Sequence, residues 1–216
     1  MPNAAILNGK RRKIFSPADP TLVHDIINVW LDDEYGLSKV GFEVKSLVDI
    51  GANIGVFSLF AHHCFPDAKI HAYEPDAEVL NYTAPNLEHT DVTLFREGVA
   101  GAEGCGEMVR SGSSRLNQVT VSAEGGVPLV SLATVVARMG GAIDLLKLDC
   151  EGFEWDIFND ARPFAAVRAI RMEYHLVGGK SLGDLRAIAG RLGFAITHLQ
   201  EDDGFGIAWL DRARAV

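Results

Sequence analysis

The chain has 216 residues, of which 48% are hydrophobic and 23% charged, and 29 Asp and Glu outweigh 20 Lys and Arg to give a formal net charge of −9. That length suits one α/β domain with a well-buried core, and the composition excludes wholesale disorder. The acidic balance argues against duplex nucleic acid as a partner, because phosphate neutralisation needs a basic face, and it tolerates a cationic ligand.

The opening residues hold a basic cluster, Lys10-Arg11-Arg12-Lys13, with no apolar stretch behind it. This lacks the order of an export signal and is expected as a surface loop or frayed start. No apolar run reaches the ~18 residues of a membrane helix. Cys64, Cys105 and Cys150 are odd in number and widely spaced, so a reducing cytoplasm is the expected setting.

Residues 22–31 carry Leu22, Val23, Ile26, Ile27 and Trp30 at helical spacing and close a helical lead-in over residues 1–45. From residue 46 the pattern becomes strand (46–50), helix (56–64), strand (69–74), helix (76–87) and strand (92–95). Residues 97–126 are rich in Gly and Ser and read as a small hairpin or irregular insertion. A helix (132–139), strand (143–149), helix (153–158), strand (167–175), helix (182–192) and two closing strands (194–199 and 205–210) follow. The alternation predicts one domain over residues 1–216, built on a doubly wound parallel sheet. Asp202-Asp203-Gly204 makes an antiparallel hairpin of the last two strands.

In such a sheet, ligands sit beyond the carboxyl ends of the strands, where strand order reverses. The first strand ends in Asp49-Ile50-Gly51-Ala52-Asn53-Ile54-Gly55. Its glycines permit a tight turn and a close ligand approach. The second strand ends in Glu74-Pro75-Asp76, and a carboxylate there can accept both hydroxyls of a ribose. This is the logic of an adenosine cofactor. A dinucleotide fingerprint needs G-x-G-x-x-G, but Asn53 and Val56 stand at its second and third glycine positions. No phosphate-cradling G-x-x-x-x-G-K-[ST] occurs either. The loop therefore suits S-adenosylmethionine better than NAD, and an NAD-dependent oxidoreductase is the disfavoured alternative. A non-catalytic adenosine-binding regulatory protein is the other.

The run from Val48 to Ser58 resembles motif I of class I methyltransferases, and Tyr73-Glu74-Pro75-Asp76 resembles their second motif. Ile143-Asp144-Leu145-Leu146-Lys147-Leu148-Asp149-Cys150-Glu151-Gly152-Phe153-Glu154 closely resembles the D-L-L-K-x-D-x-E-G-x-E run of FkbM-type methyltransferases, and Glu173-Tyr174-His175 their E-x-H. The resemblance covers residues 46–175. It implies a seven-stranded Rossmann-like, mostly parallel sheet with an antiparallel last strand. It also implies O-methyl transfer to sugars or other hydroxyls of secondary metabolites. The lead-in and the 97–126 insertion lie outside the match and are expected to choose this small-molecule hydroxyl acceptor.

Expected cofactor contacts are Asp49, Gly51, Asn53 and Gly55 around the methionine end and Glu74 with Pro75 at the ribose. Gly98 and Val99 are expected beside the adenine, and Asp149 near the methyl donor. Asp76 is expected to cap the helix that follows it. His175 is the first candidate base, since its ordinary pKa suits neutral pH. Glu173 stands two residues back on the same face, able to orient it or to act itself. Lys147 and Asp149 share a face of a buried strand, where charges need partners. Asp149, Glu151, Glu173 and His175 carry donors suited to a divalent metal, which the spacing does not demand, so metal is unassigned. The other histidines (24, 62, 63, 71, 89 and 198) are expected to be structural or at the surface. Ser113 and Ser114 are candidates for the acceptor pocket or a solvated loop. Spacing leaves a homo-oligomer open.

Overall fold

The computed structural model describes residues 4–7, 9–18, 22–110 and 117–213. Ser113 and Ser114 lie outside the described residues.

The first elements differ from the expected helical lead-in. Strands β1 (Ala4–Leu7) and β2 (Lys10–Lys13) pair antiparallel, so the basic cluster is a strand and not a loop. The apolar signal is one-sided: Leu7 is buried while Ile6 and Arg11 face outward. Helix α1 (Leu22–Ile26) continues as one π-helical segment, Ile27–Leu31.

The main sheet follows. Strand β3 (Ser46–Ile50) leads through α2 (Val56–Cys64) to β4 (Lys69–Tyr73), then through α3 (Leu80–Leu87) to β5 (Thr93–Phe95). Residues expected as a simple hairpin instead belong to a second sheet. Its strands are β6 (Gly98–Ala100), β7 (Gly104–Val109), β8 (Gln118–Val121) and β9 (Val127–Ser131), in the order β6-β9-β7-β8. The alternating pieces 107–110 and 118–121 mark parts of β7 and β8, but β6, three residues long, is too short for a period-2 signal. Helix α4 (Leu132–Met139) then leads to β10 (Ile143–Leu148), α5 (Glu154–Ile157), β11 (Val167–His175), α6 (Leu182–Arg191), β12 (Phe194–Glu201) and β13 (Phe205–Arg212).

The main sheet has seven strands in the order β12-β13-β11-β10-β3-β4-β5, and every pairing is parallel except the two made by β13. This is the Rossmann-like sheet the sequence predicts. Its period-2 alternation feeds two cores. Leu47 and Leu145 pack beneath the N-terminal segment and α2, while Val48 and Leu146 pack on the α4–α6 side. Ser131 caps α4 by accepting the Thr134 N–H, and Ser181 with Asp184 forms a capping box on α6.

The chain winds outward from β3 to β5, then crosses back to β10 and winds the other way. Strand order therefore reverses between β3 and β10, which pair directly. The crevice of this fold opens above their carboxyl ends.

Candidate active site

A cavity of about 360 Å³ opens at these strand ends, within the range of small-molecule sites. Gly51, Asn53, Glu74, Pro75, Gly98, Val99, Asp149 and Glu173 line it, as expected from their strand-end positions. Asp49, Gly55 and His175 are not among its lining residues.

The glycine loop is shaped by close approach. Gly51 has φ +78°, and a Cβ there would stand 1.7 Å from the Asp149 carbonyl oxygen. Asn53 also takes a positive φ, 47°. The Gly51 and Ala52 N–H groups donate to the Tyr73 carbonyl at 3.1 and 3.0 Å. Glu74 receives the Asn53 N–H at 2.8 Å on one carboxylate oxygen and the Asp76 N–H at 2.8 Å on the other. It thus ties the first loop to the second, and each oxygen keeps one lone pair for a ligand. Burial pushes the Glu74 carboxyl up to about 7, partly offset by those two N–H groups. Gly55 works one step back: its left-handed φ of +87° starts α2.

Asp76 makes the bonds expected of a cap: its side chain receives the Glu78 N–H at 2.9 Å and its carbonyl the Leu80 N–H at 2.9 Å, closing the turn that leads into α3. Its buried carboxylate receives the Arg110 guanidinium at 3.0 and 3.1 Å and the Asn117 amide at 2.8 Å. These bonds, with the Glu78 N–H, overcome the cost of burial and hold its pKa below the usual carboxylate value. They also fasten the second sheet over the Glu74 side, where Met108, Val119 and Leu129 join the wall.

Across the crevice, Lys147 sits between two carboxylates. Register pairs it with Asp49 on β3, and its ammonium lies 3.2 Å from Asp49 and 3.1 Å from Asp149. It also donates to the Gly51 carbonyl at 2.6 Å. Burial opposes its charge, but Asp149 and Asp49 outweigh burial and raise its pKa. Asp49 is fully buried and receives the Ser58 hydroxyl at 2.6 Å, so it anchors the site from below. Asp149 is pulled below its ordinary pKa despite burial, chiefly by Lys147. Glu173 goes the other way: burial, then the nearby Asp149 charge, push it up to about 9.

His175 stands between Glu151 and Glu154, each 3.4 Å from one ring nitrogen. Burial disfavours its charge, but the Glu154 bond and the surrounding carboxylates prevail and push its pKa up to about 9. The ring is an imidazolium at neutral pH. It balances the turn after β10, where Glu151 takes φ +54° and Glu154 receives the Cys150 N–H at 2.9 Å.

Sequence reasoning placed the lead-in at the acceptor without naming the residues it brings to the site. Tyr35 is 3% exposed and donates its hydroxyl to Asp149 at 3.2 Å. His24, expected away from the site, lines the cavity with Asn28 and Glu34. No periodicity marks Tyr35. It is set by the Asp33 carboxylate, which receives the Leu37 N–H at 2.7 Å, and by Trp209, whose indole donates to the Glu34 carbonyl at 2.8 Å.

Asp25, Glu34, Glu74, Asp76, Glu97, Asp149, Glu151, Glu173 and Asp202 put nine acids on the cavity wall against one lysine, Lys147. Such a wall concentrates cations. Among the described residues no group of three or more His, Cys, Asp or Glu side chains is arranged to hold a metal ion. No helix among them is long and apolar enough to cross a membrane.

Comparison with curated protein sequences finds no match. Solved structures match in fold. Magnesium protoporphyrin IX methyltransferase from Synechocystis PCC 6803, solved with bound SAM, aligns with a TM-score of 0.55 at 13% identity over 94% of this chain and 89% of that one. The ribosomal protein L11 methylase from Lactobacillus delbrueckii subsp. bulgaricus aligns at 0.55 and 13% identity over 93% and 91%. TrmK of M. capricolum, in complex with S-adenosyl-homocysteine, aligns at 0.50 and 13% identity over 83% and 67%. The sequence model of the methyltransferase FkbM domain matches residues 49–196. That is more than half of the chain, and the protein therefore belongs to the FkbM methyltransferase domain family, as an S-adenosylmethionine-dependent methyltransferase.

Proposed function

We propose that the protein methylates a hydroxyl of a small molecule, with sugars and secondary metabolites as the acceptor class, in the cytoplasm. One observation carries this reading: an acid-lined cavity joins a glycine loop and a ribose-type carboxylate to a pair of carboxylates, Asp149 and Glu173, on neighbouring strands. Its residues fit S-adenosylmethionine, whose sulfonium and ammonium are cations. Gly51 lets the first loop close against the Asp149 backbone, and Glu74 keeps lone pairs for the ribose hydroxyls. Asn53, Pro75, Gly98 and Val99 complete the adenosine side. When bound, the cofactor supplies a methyl group already activated by positive charge, so the protein supplies alignment and proton removal.

Glu173 is the better base than His175. It lines the cavity and His175 does not; with its pKa pushed up to about 9 it holds its proton at neutral pH, so its action as base, and with it turnover, should rise as pH climbs toward 9. His175 stands off the cavity lining and holds the Glu151–Glu154 turn. Asp149, kept ionised by Lys147, receives and orients the acceptor hydroxyl. Four adjacent strands, β4-β3-β10-β11, separate Glu74 from Glu173, a span of about 14 Å at the usual strand spacing. That leaves the acceptor to the lead-in and to Gln200, Asp202 and Phe205 of the β12–β13 hairpin, while the insertion walls the adenosine side.

The test is release of S-adenosylhomocysteine from S-adenosylmethionine in the presence of a panel of sugars and polyhydroxylated small molecules. Glu173→Gln should lower turnover by about 10²–10⁴-fold while leaving S-adenosylhomocysteine affinity within about twofold. Full activity in this variant would remove Glu173 as the base.

A further inference from the structure

A second cleft, of about 450 Å³, shares no lining residue with the first. Strand β2 borders it with Lys10, Arg11, Arg12 and Lys13, of which Lys10 and Arg12 share the face of buried Leu7 and Arg11 and Lys13 rim the other, while α2 and the turn after α3 bring His62 and His89. Leu59 and Pro85 add apolar surface, and Glu88 is the single acid on the lining. Among the described residues, none of the four β2 cations is in an ion pair. Lys13 lies over the Phe15 ring instead. In a chain with 29 acids and net charge −9, four consecutive cations without a carboxylate partner are a departure from the rest of the surface.

The wall is also built, not merely charged. Asn86 fixes the exit of the hairpin from both sides. Its side chain receives the Phe15 N–H at 2.7 Å and donates to the Phe15 carbonyl at 2.8 Å. The same amide donates to the Ile54 carbonyl at 2.7 Å, in the loop that borders the first cavity. Leu7 is buried in a cluster with Leu59 of α2 and Leu87 of α3 and holds the strand pair down. The cations therefore line a cleft with a fixed backbone.

We propose that this cleft is a second binding site, for the phosphoanion of a phosphorylated small molecule. Guanidinium groups pair with phosphate oxygens through two parallel N–H bonds, and ammonium groups add point charge. The imidazole N–H groups of His62 and His89 can donate from the opposite wall. A compact cleft opposed by two imidazoles suits one or two phosphate groups. It does not suit a duplex, which needs a basic face several phosphates long.

Inorganic pyrophosphate, titrated calorimetrically into the full chain, is the probe. Wild type should bind it with an affinity that falls as salt rises. The variant Lys10→Gln, Arg12→Gln removes the two cations on the Leu7 face of β2 and should weaken binding by at least about tenfold. Its thermal midpoint and its S-adenosylhomocysteine affinity should match wild type, which separates loss of this site from loss of the fold or of the cofactor site. Co-sedimentation with phosphatidylglycerol vesicles distinguishes the source. Charge-dependent vesicle binding without pyrophosphate binding assigns the same chemistry to a lipid headgroup. Equal pyrophosphate affinity in wild type and variant would overturn the proposal. So would binding of duplex RNA with neither pyrophosphate nor vesicles bound.

Discussion

At Glu74 two backbone N–H groups already occupy one lone pair on each oxygen, so a diol must use the remaining pair. A neutral carboxyl accepts less well, and this one titrates near 7. S-adenosylhomocysteine affinity should therefore fall as pH drops from 8 to 6, and Glu74→Gln should weaken binding by about tenfold or more and flatten that dependence. Calorimetry at both pH values checks it. Lys147 makes a second residue-scale case. It neutralises Asp49 and Asp149 together, and Lys147→Met would leave both carboxylates buried without their cation. The expected loss is about 3–5 kcal/mol, read as a fall in the thermal midpoint of about 2–4 °C per kcal/mol. Gly51, Asn53, Glu74 and Asp149 were legible because strand-end position and residue type coincide. The charge state of His175 was not, because Glu154 approaches it only through the turn of the folded chain.

Among the elements, the N-terminal segment does more than cover the sheet. Residues 33–36 are clamped between the Asp33 carboxylate and the Trp209 indole, and a Cβ on Gly36 would stand 2.5 Å from that ring. Tyr35 is thereby held against Asp149 and edge-on to Phe57. Tyr35→Phe keeps the ring and loses only the hydroxyl bond to a charged group. It should lower turnover by about tenfold, and unchanged turnover would make Tyr35 a packing residue only. The strands and helices of the main sheet could be read from their apolar runs and the turns between them. The β1–β2 hairpin could not, because its inward face reduces to Ala5 and Leu7 against Lys10 and Arg12. The second sheet was hidden by the shortness of β6 and by pairings that skip over intervening strands.

For the whole molecule, the excess of acids is concentrated where it has a use. Glu173 and His175 both bind a proton more tightly folded than unfolded. For each, the folded state holds the extra proton between the ordinary value and about 9, so stability falls as pH rises through that window. The ligand-free thermal midpoint should therefore drop between pH 7 and 9. The opposite contribution of His71, whose pKa burial lowers to about 4, is complete below that window. A scan of midpoint against pH tests the sign, and Glu173→Gln should reduce the slope. The same cavity holds the adenosine site built on Glu74 and the glycine loop, and this is the central claim. It is tested most directly by calorimetric titration of S-adenosylhomocysteine, beside NAD, into wild type and Glu74→Gln. The account predicts binding of S-adenosylhomocysteine alone, weakened in the variant. Binding of NAD instead, or equal S-adenosylhomocysteine affinity in both proteins, would contradict it.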